Sequence, residues 1–113
     1  MLVILFRSRL TDEAGEDFSL LEEHLMQRVQ AMPESGFVKL KSYQADDGER
    51  LAVVWWRDRE SLERWRTDPE HRQAQHLGRT RWFASYELEI AEVLRSSSVT
   101  HDSTGELSPE EEK

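Results

Sequence analysis

Leu51-Ala52-Val53-Val54-Trp55-Trp56 is the stretch on which the fold turns. Six consecutive apolar residues, rich in β-branched and aromatic types, read as a strand covered on both faces, because a strand with one wet face alternates apolar with polar. A second run of the same kind, Leu2-Val3-Ile4-Leu5-Phe6, opens the sequence. Two such strands require a covering layer on each side of their sheet.

The segments around these runs supply one layer. Before Leu51, Phe37 to Ala45 sets Val38, Leu40 and Ser42 against Phe37, Lys39, Lys41 and Tyr43, the period of a half-exposed strand. Asp46-Asp47-Gly48 makes the hairpin turn between the two. Between the first run and this strand, after an Asp12–Gly15 loop, Phe18, Leu21, Leu25, Val29 and Met32 recur at three- and four-residue steps, giving an amphipathic helix ended by Pro33 and Gly36. After Trp56, Asp58 caps a short helix carrying Leu62 and Trp65. Asp68-Pro69 repeats the signal with Asp at N-cap and Pro at N1, so a second helical piece runs to about Leu77 and stops at Gly78. Trp82 to Leu94 is a last strand with Tyr86, Leu88 and Ile90 on one face and Glu87 and Glu89 on the other. The alternation slips at Ala91, where a bulge is expected.

The order β-α-β-β-α-β is the α+β, ferredoxin-like arrangement: a four-stranded antiparallel sheet with its helices on one face. The other face has no helix of its own, and a second copy of the same sheet would cover it, so a homodimer is expected.

The chain has 113 residues, which allows one domain. It has no cysteine, which excludes disulfide frameworks, cysteine-ligated zinc, iron–sulfur clusters and thiol nucleophiles, and fits a cytoplasmic protein that folds by packing alone. The apolar run Met1 to Phe6 is too short for a membrane span or a secretory h-region, so no membrane partner is expected. The net charge of −8 argues against a phosphate-tracking surface. RNA-recognition motifs share the element order, and Gly36-Phe37-Val38 is similar to their aromatic core motif. It falls on the second strand where that motif belongs on the third, so no nucleic-acid partner is expected. The acidity is uneven: from Ser96 onward the chain carries five acidic residues, one lysine and only Val99 and Leu107 as aliphatics. Residues 96–113 are therefore expected to form a largely disordered acidic tail and residues 1–95 the folded domain.

Several stretches together carry a resemblance: Met32-Pro33-Glu34-Ser35-Gly36-Phe37-Val38, the strand Leu51 to Trp56, Ser61-Leu62-Glu63-Arg64-Trp65, Asp68-Pro69-Glu70-His71-Arg72-Gln73-Ala74-Gln75, and Tyr86 to Arg95. Over roughly residues 1–95 the sequence resembles an antibiotic biosynthesis monooxygenase (ABM) domain. The resemblance implies a dimeric α+β barrel with a pocket in each subunit between sheet and helices. It also implies one of three functions: a cofactor-independent monooxygenase acting on a small aromatic or quinol-like substrate, a non-catalytic small-molecule-binding or stress-related module, or a haem-degrading protein.

Cofactor-free oxygenation needs a site that binds an aromatic, removes a proton and stabilises the anion. Polyketide-type members similar to this chain use a helix Trp, an Asn one turn before it and a Tyr six residues after it. The matching positions here are Trp65, Ser61 and His71, with Ser61 a hydrogen-bond donor and His71 a base near neutral pH. The bland alternatives are that Trp65 anchors the short helix in the core and His71 lies on a helix surface. Haem-degrading relatives use a first-strand Asn, the same Trp and a His about ten residues on. Arg7 or Ser8 stands near the first of these and Gln75 at the last, with His76 one residue beyond, so haem is not the expected cofactor and none is implied. His24 and His101 have no company at metal-ligand spacing, so no metal site is expected.

Trp55 and Trp56, adjacent on a strand, face opposite ways. One of them, with Gln75, His76, Trp82, Phe83 and Tyr86, is expected to line an aromatic pocket for a planar ligand, core packing being the competing use of these rings. Arg79 and Arg81, in a less acidic stretch, are candidates to hold an anionic substrate at its mouth.

Overall fold

The structure, a computed structural model, describes residues 1–32 and 34–101. Strands β1 (Leu2–Leu10), β2 (Phe37–Gln44), β3 (Arg50–Trp56) and β4 (Phe83–Glu92) form one antiparallel sheet in the order β2-β3-β1-β4. The two aliphatic runs are its two central strands. Helices α1 (Glu16–Ala31), α2 (Arg59–Arg66) and α3 (Pro69–Leu77) and a π-helical turn (Gly78–Trp82) complete the chain.

Each of the two short helices starts where its sequence says it should. Asp58 accepts from the Ser61 amide at 2.8 Å and Asp68 from the His71 amide at 3.1 Å, with Pro69 at N1. On α1, Glu16 and Asp17 in the first turn and Arg28 in the last match the helix dipole. The core lies between this layer and the sheet: Leu2, Val29, Trp56, Leu62 and Trp65 are all buried in one cluster.

Period-two alternation and the ladder register sort the strand residues. Leu2, Ile4, Phe6 and Ser8 of β1, Arg50, Ala52, Val54 and Trp56 of β3, and Tyr86, Leu88 and Ile90 of β4 share the helix-covered side. Val3, Leu5, Leu51, Val53 and Trp55 share the other, on which no helix among the described residues packs. Trp56 is therefore the helix-side tryptophan, 1% exposed, while Trp55 lies on the outer face with the Lys39 ammonium 4.5 Å from its ring centroid.

Two local expectations are corrected. No bulge occurs at Ala91, which pairs in register with Val3 as Glu92 does with Leu2. The slip in polarity there is a change of side-chain type at the strand's end. The irregularity lies at the other end, where Arg9 pairs with Ser85 and Leu10 with Phe83, and a further one separates Phe37 from Lys39. As expected, α3 ends at Leu77 with Gly78 as its C-cap, although Gly78 keeps a φ of −59° and the chain runs on into the π-helical turn. A Cβ on Gly78 would lie 2.5 Å from the Phe83 ring, so this glycine serves close packing. Finally, β4 runs from Phe83 to Glu92, shorter than the Trp82–Leu94 span expected. Of the acidic tail, residues 102–113 lie outside the described residues, and 96–100 adopt no helix or strand. No helix among the described residues is long and apolar enough to cross a membrane.

Candidate functional site

Between the helix-side face of the sheet and the helices lies a cavity of about 600 Å³, within the range of small-molecule sites. Its walls are mostly apolar, and two groups of rings stand at its ends. At one end Phe37 packs edge-on to Trp56, Trp56 lies 6.5 Å from Trp65, and Trp65 stacks on His71 at 4.6 Å with 21° between planes. At the other, Phe18 packs edge-on to Trp82 and Phe83, and Phe6 contacts Phe83 and Tyr86. Ile4, Leu25, Val54 and Leu88 form the waist.

His71 is the titratable group whose surroundings are best defined. The break between α2 and α3 at Thr67-Asp68 folds its ring back over Trp65, which a continuous helix would not allow at a six-residue spacing. Its Nδ1 lies 3.2 Å from the Trp65 carbonyl, an acceptor, so the neutral ring carries its proton on Nδ1. Nε2 then holds the free lone pair and has no protein partner among the described residues. Burial lowers the pKa below 6.5, against the opposing pull of the Trp65 carbonyl and the Asp68 carboxylate. A neutral imidazole with a free Nε2 in an apolar cavity can accept a proton.

The mount of His71 is tied to α1. Asp68 accepts from Arg28 Nε at 3.2 Å and Nη2 at 2.8 Å, and Arg28 also reaches Glu70 at 2.9 Å. The Arg28 guanidinium, with the amide of His71, holds the Asp68 carboxyl below its usual range.

The other expected site residues divide by position. Trp56, Trp65, Gln75, Trp82 and Phe83 line the cavity with His71. Ser61 does not: it is 1% exposed, and its hydroxyl donates to the Asp58 carbonyl at 3.0 Å. It also sits against Gly36 (φ +80°), where a Cβ would come within 2.2 Å of its Oγ. Trp55 is on the far face of the sheet. His76 and Arg79 lie outside the cavity lining, and Arg81 faces Glu13 and Asp17 at 3.9 and 3.7 Å. Tyr86 is stacked on Phe6 at the sheet edge and is 45% exposed.

Polar residues outside the expected site set also line the cavity, Ser8, Ser42, Glu22, Glu23 and Arg50 among them. Their signals were present. Arg50 shares the parity of Ala52, Val54 and Trp56, and Glu22 follows Phe18 by one helical turn.

The sequence profile of the family described as antibiotic biosynthesis monooxygenase matches residues 1–77. Among curated relatives, the uncharacterized protein YqjZ of Bacillus subtilis is 32% identical over 65 residues, covering 58% of this chain and 57% of its own length. The jasmonate monooxygenase ABM of Pyricularia oryzae is 29% identical over 98 residues, covering 85% of this chain and 45% of its own. The chain thus spans about half the length of these relatives. Among solved structures, SnoaB of Streptomyces nogalater, a cofactor-independent oxygenase, superposes with a TM-score of 0.67 at 14% identity, over 84% of this chain and 94% of that one.

Proposed function

The chain belongs to the antibiotic biosynthesis monooxygenase family, and from that premise we propose that it is a cofactor-independent monooxygenase acting on a small, flat aromatic or quinol-like compound held in the cavity. The observation that carries this reading is His71: a ring stacked on Trp65 in the cavity wall, neutral, with Nε2 free. The reaction needs no outside reductant. An acidic ring methylene gives a proton to His71 Nε2, the resulting carbanion is delocalised over the substrate, and that electron-rich anion reduces dioxygen. One oxygen atom becomes a ring carbonyl and the other leaves as water. The methylene carbon gives up both of its hydrogens, which end in that water, and the electrons it loses are those that dioxygen gains. Trp65 shapes the wall against which the substrate lies, and the apolar lining excludes water from the anion. That one solved relative of this fold is a cofactor-independent oxygenase supports the absence of a cofactor.

Oxygen uptake with a panel of aromatic ketones that carry an acidic ring methylene, the keto forms of quinol-like phenols, tests the proposal. Turnover that falls at least about a hundredfold in His71→Ala is expected of a lost general base. Unchanged turnover would remove His71 from the mechanism.

A second reading, a binding module without oxidative chemistry, is favoured by one observation: the Ser61 hydroxyl is spent on the Asp58 carbonyl. That leaves the site without the second polar partner. Tight binding of the same panel with no oxygen uptake is its expected signature.

In either reading the working unit is a homodimer closed across the outer sheet face, where Val3, Leu5, Leu51, Val53 and Trp55 make an apolar centre with no helix over it among the described residues. A cytoplasmic location is part of the same proposal.

A further inference from the structure

At the end of the cavity away from His71, a small polar group interrupts the aromatic wall. Ser8 and Arg50 are direct partners in the β1–β3 ladder, and both line the cavity. Ser42 pairs with Ala52, the next cavity-side residue on β3, so its hydroxyl lies diagonally across from Arg50. Ser8 is 4% exposed, and what it does expose faces the cavity that it lines. The Arg50 guanidinium packs 5.4 Å from the Phe18 ring centroid, and its nearest carboxylate oxygen, on Glu22, is 3.8 Å away, too far for a hydrogen bond. A guanidinium fork, a buried hydroxyl and an unfilled space thus meet inside a wall of Phe6, Phe18 and Phe83.

We propose that this end of the cavity is a carboxylate anchor: the ligand's carboxylate takes the Arg50 fork in place of Glu22 and accepts from the Ser8 hydroxyl, with Ser42 beside it. The proposal rests on the reading of the cavity as a ligand site, and it narrows the ligand to an aromatic acid. The fork geometry suits a planar carboxylate better than a single oxygen. Ala52, the smallest residue of the sheet floor, gives the ligand body room between the anchor and the His71 end. Partial burial raises the pKa of Glu22 against the pull of Arg50, and the ligand's carboxylate would have to displace this ion pair.

The test is calorimetric titration of the full chain with naphthoic acid and with naphthamide, its neutral counterpart of the same shape. Wild-type protein is expected to bind the acid about tenfold more tightly than the amide. Arg50→Gln should bring that ratio close to one, the loss falling mainly on the acid, and Arg50→Lys should restore part of it. Ser8→Ala should weaken the acid alone, and Glu22→Gln should strengthen the acid alone. An acid-to-amide ratio unmoved by Arg50→Gln, with the amide still bound, overturns the anchor and leaves the cavity as a ligand site. Failure of wild-type protein to bind either compound overturns both. Should Arg50→Gln not fold, Ser8→Ala and Glu22→Gln decide, since only the anchor moves them in opposite directions.

Discussion

The pairing of Gly36 with Ser61 shows how narrowly a single position can be specified. Gly36 has a φ of +80°, and its α-carbon faces the Ser61 side chain so closely that a methyl group would overlap it. Gly36→Ala is therefore expected to destabilise the protein by about 1–3 kcal/mol, combining a left-handed backbone with overpacking, as read by urea denaturation. His71 makes a second prediction at this scale. Its folded-state pKa lies below 6.5, so the unfolded chain binds its proton first as pH falls. Its contribution to stability is complete above pH ~6.5 and is lost as pH drops through the lower folded value. Urea midpoints followed from pH 8 to 5 should fall more steeply for wild-type protein than for His71→Asn, and parallel curves would contradict the assigned shift. Residue types were legible in the sequence here: Trp65 and His71 stood out because they fall at positions that the resembling family uses. That they stack was not legible, because it depends on a chain break at Thr67-Asp68 and on the angle between two helices.

Among the elements, the helix caps were legible and the strand irregularities were not. Asp58 and Asp68 act on backbone amides three residues away, so sequence spacing determines them, and the Ser61 amide with the Arg57 guanidinium holds the Asp58 carboxyl at about 2. The offset in β4 depends on where β1 ends, which no local pattern reports. The same distinction makes a test on α3. Asp68→Asn keeps a cap but gives up the charge that Arg28 holds, whereas Asp68→Ala loses both. Alanine is expected to cost about 1 kcal/mol more than asparagine. The folded carboxyl is held below its ordinary pKa, so the wild-type advantage over asparagine should be full at neutral pH and should shrink as pH falls below about 4. Thermal unfolding at two pH values checks both statements.

For the whole molecule, the uncovered sheet face gives the sharpest expectation. The two aliphatic runs have no polar alternation, the pattern of strands dry on both faces, yet among the described residues helices cover only one. Light scattering should return twice the 13.3 kDa of one chain. Leu5→Lys, a charge at the centre of that face, should shift the protein to one copy or to aggregates. A 13.3 kDa species at micromolar concentration for wild-type protein would refute the dimer. The π-helical turn Gly78–Trp82 bears on a different property, the chain's tolerance of changes in length. A five-residue turn closed from the Phe83 amide to the Gly78 carbonyl holds one residue more than an α-helical turn needs. That residue is slack. Deleting the exposed Thr80 should tighten the turn and leave Trp82 and β4 where they are, with cooperative unfolding retained. Deleting Glu87, equally exposed but inside a ladder of period two, should invert the remainder of β4 and abolish that cooperativity. Insertions and deletions in this lineage are accordingly expected to collect at the junction between α3 and β4, where the chain can change length without changing register.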